Sequence, residues 1–247
     1  RLEAEEALRQ AQKMQSLGNL AGGLAHEINN LLLPIMALSK MTLKGLPEDG
    51  KERQRMEKII EATERAKGIV EQVVAFSRQD QFEMEPVDIC QVVRQSMELL
   101  YATLFSTLML REHLTEDVGT ILADASQISA VLTNLISNAR DAYEGSAGEI
   151  TISLDRVNVT ASLAKTVAGL REGTYAKLAV TDAGKGMDED TLARVFDPFF
   201  TTKEVGEGSG LGLSLVYGIV EKHEGAINVI SKPGMGTTIE VYFPLIG

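Results

Sequence analysis

The sequence predicts two unlike parts: an α-helical hairpin that dimerises into a four-helix bundle, followed by an α/β sandwich with helices on one face of a sheet. Three observations carry this. Apolar residues recur at heptad spacing along residues 1–82, where turn-forming residues are scarce. The helical pattern stops at the proline in QFEMEPV, residues 81–87. Beyond it, short alternating patterns interleave with amphipathic ones. The expected division is therefore 1–82 for the hairpin, 83–87 for a linker and 88–247 for the second domain.

In the first part, Leu17, Ala21, Leu24, Ile28, Leu31, Ile35 and Leu38 alternate spacings of four and three, a heptad seam that calls for a partner helix. Ala4, Ala7, Ala11 and Met14 follow the same rule upstream, with a phase slip at Ser16 to Gly18. Such a slip locally changes the winding of a supercoil, and it is a place where an upstream signal would be felt. GLPEDG, residues 45–50, is a turn. A second helix carries Met56, Ile59, Thr63, Ala66, Val70 and Val73 on one stripe. Two antiparallel amphipathic helices bury their seams poorly alone, so a homodimer is expected.

In the second part, helices are expected over 88–100, over 125–143 with a cap near Asp124, and over 211–223. Strands are expected over 107–113, 149–157 and 175–181, and a closing hairpin joins 226–231 to 237–243 around KPGMG. Residues 159–173 show no clear period and are expected to be an extended loop.

Composition narrows the partners. The formal net charge is −11, from 35 acidic and 24 basic residues, a balance that repels a phosphate backbone and argues against nucleic acid. A single anionic nucleotide is still accessible, because backbone N–H groups and a metal ion supply positive potential. The apolar run LLLPIMAL is too short to span a bilayer and contains a proline. No signal peptide is visible after Arg1, so the chain is expected to be cytoplasmic, with room for a membrane anchor and sensor domain in a preceding part. Cys90 is the single cysteine, which excludes an intrachain disulfide or a cysteine-based zinc site.

Four patterns follow one another in the second part. In NLISNARDAY, Asn134 and Asn138 share a helix face, and neutral amide oxygens there suit a hard cation such as Mg²⁺; alone, the pattern equally fits a polar helix face. In DAGKGM, Asp182 is an acceptor for an amino group, and Gly184 and Gly186 allow close backbone approach; alone, it equally fits a plain turn. VFDPFFTTK packs three phenylalanines beside a proline, as core or as an anchor for a loop that closes. GEGSGLGLSLVYGIV runs from Gly208, Gly210 and Gly212 into an apolar helix, aiming N–H groups at phosphate oxygens. It lacks the lysine and Ser/Thr ending of a P-loop.

In this order and spacing the patterns resemble the catalytic half of sensor histidine kinases, which shares its ATP-binding fold with gyrase B, MutL and heat-shock 90 chaperones. NLISNA resembles the N box, DAGKGM the first glycine box, DPFFTTK the F box and GSGLGL the second glycine box. AGGLAHEINNLLLPI, residues 21–35, resembles the H box of the dimerisation domain, so the likeness covers essentially the whole chain. NARDA and PFFTTK are closest in style to the nitrogen-regulation-like branch. The resemblance implies ATP and Mg²⁺ as cofactors, with the metal on Asn138. The implied nucleotide contacts are Asn134, Asn138, Arg140, Asp141, Tyr143, Asp182, Gly184, Gly186, Met187, Lys203, Gly208, Ser209, Gly210, Leu211, Gly212 and Thr237. The segment from Gly184 to Gly210 would close over the phosphates.

Of the three histidines, His113 and His223 fall in a strand and at a helix end, where packing or solvation explains them. With Ala21 and Leu24 at a and d, His26 falls at f, the outward face of the bundle, where a separate domain can reach it. The resemblance makes His26 the phosphorylated residue, Glu27 its base or orienting acceptor, and Asn30 the residue that positions water for phosphatase activity. It further implies transfer to an aspartate of a response regulator receiver domain.

Two departures stand out. Leu31 occupies a position where many members have proline, and Pro34 comes later, which shifts any kink by about one turn. Asp141 occupies a position where many have lysine, leaving Arg140 or Lys203 for phosphate contact. A plain ATPase of the same superfamily and a non-catalytic scaffold stay open as alternatives. Hydrolytic relatives carry a glutamate where this chain has Asn134, which cannot act as a general base.

Overall fold

The computed structural model describes residues 28–47, 50–77, 83–104, 108–203 and 208–246. The chain divides into two compact units between Phe82 and Glu83. Among the described residues no helix is long and apolar enough to cross a membrane.

In the first unit, helix α1 is described over 28–44 and runs without a break through Pro34. Gly45 N–H donates to Thr42 C=O at 3.1 Å and Gly50 N–H to Pro47 C=O at 3.3 Å, closing the expected turn before α2 (Lys51–Ser77). Lys40 bonds Glu64 at 3.1 Å across the two helices. The more buried stripe of α1 is Leu32, Met36, Ser39 and Leu43, one position on from the expected seam. One residue rotates a helix face by about 100°. The expected stripe stays open instead, with Leu31 66% and Leu38 64% exposed. On α2, Met56, Thr63, Ala66 and Val70 are buried or half-buried as expected, whereas Ile59 is exposed and Ile60 takes its place. The part of the seam before Ile28 and the phase slip lie outside the described residues.

The second unit runs β1 (Glu85–Asp88), α3 (Ile89–Leu104), β2 (Leu108–Leu114), β3 (Thr120–Ala123), α4 (Ala125–Asp141), β4 (Gly148–Val159), α5 (Ala161–Ala164), β5 (Gly173–Asp182), α6 (Glu189–Arg194), α7 (Gly212–Lys222), β6 (Ala226–Ser231) and β7 (Thr237–Pro244). Five strands form one sheet in the order β2-β4-β5-β7-β6, with β2 parallel to β4 and the other pairs antiparallel. Alternation sorts its faces. Ile150, Ile152, Leu154, Leu178, Val180, Val241 and Phe243 are buried on the face covered by helices, against Ile128, Leu132 and Leu135 of α4 and Val216 and Ile219 of α7. The other face carries Thr151, Thr181, Thr238 and the Lys177–Glu240 ion pair.

Three expectations need correction. Glu85–Asp88 is a strand paired with Thr120–Ala123, so most of the expected linker belongs to the second unit. Pro86 is tolerated there because a two-stranded ribbon leaves one side of each strand unpaired. The expected loop over 159–173 holds α5, and its Val167 and Leu170 join Val159, Tyr175, Ala226 and Tyr242 in a second small core on the sheet's other face. Its apolar residues follow no regular period because they reach that face from a one-turn helix and the turns after it. The expected closing segment also contains α6, started by Asp188, whose side chain accepts from Thr191 N–H.

Other boundaries agree within a few residues. Asp124 caps α4 as expected, its carboxylate accepting from Ser126 N–H at 2.8 Å.

Candidate nucleotide site

Four segments of the second unit meet at the C-terminal half of α4: the loop after β5, the turns after α6, the glycine stretch before α7 and the start of β7. Asn134 and Asn138 lie one turn apart on α4. Asn134 Nδ2 donates to Ala130 C=O at 2.8 Å, which leaves its Oδ1 toward Gly212, where an added Cβ would come within 3.0 Å of it. The Asn138 amide lies beside the same glycine, and its Nδ2 is buried without a partner among the described residues. A buried orphan amide is costly unless something else completes it, and an unmodified pocket wall rarely carries one. The unpartnered Asn138 Nδ2 calls for an acceptor and Asn134 Oδ1 faces the same glycine, so the two amides fit a polar ligand there.

At the other end, Asp182 closes β5 opposite Thr237, the first residue of β7. It is only 7% exposed, and its Oδ1 accepts from Gly184 N–H at 2.8 Å. Burial pushes its carboxyl above the usual value, against the opposing pull of the Gly184 and Thr237 backbone N–H groups. Behind it, Ser231 Oγ donates to Gly236 C=O at 3.0 Å and accepts from Met187 N–H at 2.9 Å, and the Thr237 hydroxyl lies 2.9 Å away. Ser231 therefore wires the first glycine box to Thr237. It escaped the sequence reading because a serine ending an apolar strand looks like any strand terminus, and only the register of the β6–β7 hairpin places it here.

Two of the glycines, Gly186 and Gly210, are also required by the fold. At Gly186, φ is +65° and an added Cβ would lie 2.0 Å from Lys232 C=O; at Gly210, φ is +64° and it would strike the Phe199 backbone at 2.4 Å. The space their missing side chains leave is filled by the protein's own backbone, so any side chain there would displace a neighbouring segment. Phe199 N–H donates to Gly210 C=O at 2.9 Å, stapling the F box to the second glycine box. Around the staple, Phe196 packs on Tyr217 at 5.3 Å and Arg194 sits 4.4 Å over the Phe200 ring. Leu211 is buried in the core, so only its backbone is available to a ligand; its N–H points at Ser209 Oγ, 3.3 Å away.

Tyr143 likewise turns inward. Its hydroxyl donates to Glu149 C=O at 2.5 Å and accepts from Ala183 N–H at 2.9 Å. Lys185 N–H donates to Ala142 C=O at 3.1 Å and its ammonium pairs with Glu144 at 2.8 Å. These bonds clasp the end of α4 to the first glycine box, beside the end of α4 that carries Asn138.

Charge gathers at one point. Asp141 accepts from Arg140 Nε at 3.0 Å and Nη2 at 2.8 Å on one oxygen, and pairs with the Lys203 ammonium on the other. Both candidate phosphate-contacting cations are held by a carboxylate. Lys203 also lies against Gly208, where an added Cβ would approach its Cδ to 3.0 Å.

Asn30 is an exposed residue of α1 in the first unit. His26 and Glu27 lie outside the described residues. His113 is exposed on β2. His223 is buried: its Nδ1 lies 2.7 Å from Ile219 C=O, its Nε2 takes the Asp124 N–H at 3.4 Å, and its ring meets Phe243 edge-on at 5.9 Å. Burial lowers its pKa, and both bonds suit the neutral ring.

Comparison with known proteins agrees with this arrangement. A family model described as histidine kinase-, DNA gyrase B- and HSP90-like ATPase matches residues 123–247, and one described as His Kinase A (phospho-acceptor) domain matches residues 16–82. The sensor kinase CckA of Brucella abortus is 36% identical over 97% of this chain and 25% of its own length. The sensor histidine kinase ZraS of Escherichia coli is 33% identical over 98% of this chain and 48% of its own length. The chain thus spans a quarter of the one and about half of the other. The crystal structure of histidine kinase ThkA in complex with response regulator protein TrrA shares the fold, with a TM-score of 0.65 at 22% identity over 99% of this chain and 66% of that one. With a phospho-acceptor domain followed by an ATPase-type domain whose four boxes converge on one site, the chain belongs to the sensor histidine kinase family.

Proposed function

We propose that this chain binds ATP between α4, the first glycine box and α7, and transfers its γ-phosphoryl group to His26. The observation that carries the reading is the convergence on one site of a buried, backbone-held Asp182 and a buried, unpartnered amide on Asn138. Asp182 is suited to accept from the adenine amino group, because burial strengthens its bond to a neutral donor. Asn134, Asn138, Gly208, Gly210 and Gly212 would line the phosphate end, with Thr237, Met187 and Gly184 around the base. Mg²⁺, if held by Asn138, would neutralise phosphate charge and leave the phosphorus open to attack.

A neutral imidazole carries the lone pair needed for that attack. The new N–P bond forms as the bond from phosphorus to the bridging oxygen breaks, and ADP leaves. Glu27 would accept from the other ring N–H and hold the ring in register. Any hinge that lets the ATP-binding unit reach His26 lies before Glu85, since that residue already pairs with Ala123. Asn134 favours transfer over hydrolysis, because an amide cannot take a proton from water. The open stripe of Leu31, Ile35 and Leu38 fits a second copy of the hairpin, giving a homodimeric four-helix bundle. The phosphoryl group would then pass to an aspartate of a response regulator receiver domain, the kind of partner ThkA holds in its complex, and Asn30 would orient water when the same surface removes it.

The test is incubation with γ-labelled ATP, comparing the native chain with His26→Ala. Acid-labile label on the native chain and none on the variant are expected. Label that survives the substitution or resists mild acid refutes the reading.

A further inference from the structure

We propose that Asp141 is an internal stand-in for phosphate: its carboxylate holds Lys203 while the site is free of nucleotide, and a bound triphosphate takes that ammonium over. The inference rests on reading the pocket as an ATP site. Three features lead to it.

The first is position. Asp141 follows Asn138 by three residues and so shares its face of α4. Lys203 approaches from the opposite wall, its stem against Gly208 of the second glycine box. The ion pair thus joins the two segments expected to flank the phosphates.

The second is charge. A carboxylate in a polyanion site repels its ligand unless a cation neutralises it. Here two cations share one carboxylate, and they are held differently. Arg140 bonds one oxygen of Asp141 through two nitrogens and also reaches Ser137 Oγ at 3.2 Å, all within its own helix. Lys203 comes from another segment and takes the other oxygen. When Lys203 turns to a phosphate, Arg140 still neutralises Asp141, so no bare carboxylate is left facing the ligand.

The third is solvation. The Asp141 and Lys203 side chains are 26% and 30% exposed. A fully buried pair would be costly to separate, whereas one this wet exchanges partners at small cost. The pair therefore acts as a competitor: it lowers affinity for triphosphate below what a free Lys203 would give.

Titration of the full chain with Mg-ATP, Mg-ADP and adenosine tests this. Asp141→Asn is expected to bind ATP about threefold tighter than the native chain, ADP by less, and adenosine unchanged. Asp141→Glu, which keeps the charge, should restore native values. In a Lys203→Met background the gain from Asp141→Asn should vanish. An unchanged or weakened ATP affinity in Asp141→Asn overturns the proposal. So does an equal gain for adenosine, which would mark a general structural effect, or a gain that persists without Lys203, which would mark simple repulsion. A native chain that binds none of the three strikes the ATP reading itself, a separate result from nucleotide binding that ignores Asp141.

Discussion

Two aspartates mark the two ends of the site, and they are kept in opposite ways. Asp182 is buried, its Oδ1 bonds a backbone N–H, and among the described residues no cation pairs with it. Asp141 is a quarter exposed and sits between two cations. The contrast fits what each end recognises on the proposed reading. A neutral amino group is best met by an acceptor that is fixed, dry and not already spent on a cation. A polyphosphate is best met by cations that can be handed over, which requires a carboxylate partner wet enough to release them. On the proposed reading the same side chain is a selector at one end and a placeholder at the other.

The largest expected effect breaks the adenine end. Asp182→Asn presents a donor where the adenine amino group needs an acceptor, so ATP and adenosine should both bind about a hundredfold more weakly. Stability should not suffer. Because burial raises the carboxyl pKa, keeping it ionised costs folding free energy at any pH above that raised value. A Tm equal to or above that of the native chain is therefore expected, and a binding loss confined to ATP would show that Asp182 serves the phosphates instead.

Tyr143→Phe is the next largest. It removes the hydroxyl that bridges Glu149 C=O and Ala183 N–H, at a cost of about 1 kcal/mol in stability. The clasp holds the first glycine box, so adenosine and ATP should weaken together, by about fivefold. An adenosine affinity unchanged in calorimetry would place the clasp outside the base pocket. The threefold gain predicted for Asp141→Asn is smaller and of opposite sign, which is what separates a placeholder from a selector.

The smallest effect lies at the far ends of α4 and α7, away from the site. His223 joins the end of α7 to the cap of α4 in its neutral form, and burial lowers its pKa below the ordinary 6.5. A base with a depressed folded pKa contributes stability that is present above 6.5 and lost as pH falls through the lowered value. Tm measured against pH should therefore fall over that acid window, and by less in His223→Gln. An identical fall in the variant would assign the acid sensitivity to other groups.

Much of this was legible beforehand because local rules govern it. Asp124 was expected to cap α4 and does, since a capping carboxylate needs only the backbone N–H two residues on. The strands over 148–159 and 173–182 followed from alternation, because the two faces of the sheet are covered unequally. On α1 the stripe buried within one hairpin, Leu32, Met36, Ser39 and Leu43, lies one residue on from the heptad seam, which stays open. A heptad pattern shows that an apolar face exists, while the stripe that is buried within the hairpin depends on where its partner packs. The packing of residues 159–173 is hidden for a related reason: Val167 and Leu170 cover part of the sheet's second face from a one-turn helix and turns, which obey no period.

By itself, then, the sequence determined the two-part architecture and the four boxes with their order. Those follow from spacing and from what each side chain can donate, accept or carry. Tertiary structure alone decided how they are used. It turned Tyr143 inward as a clasp and filled the space beside Gly186 and Gly210 with backbone. It also brought Ser231 behind Asp182 and set Lys203 on Asp141 across sixty-odd residues of chain. Contacts between distant segments depend on register and on the path of the backbone, and no local pattern encodes either.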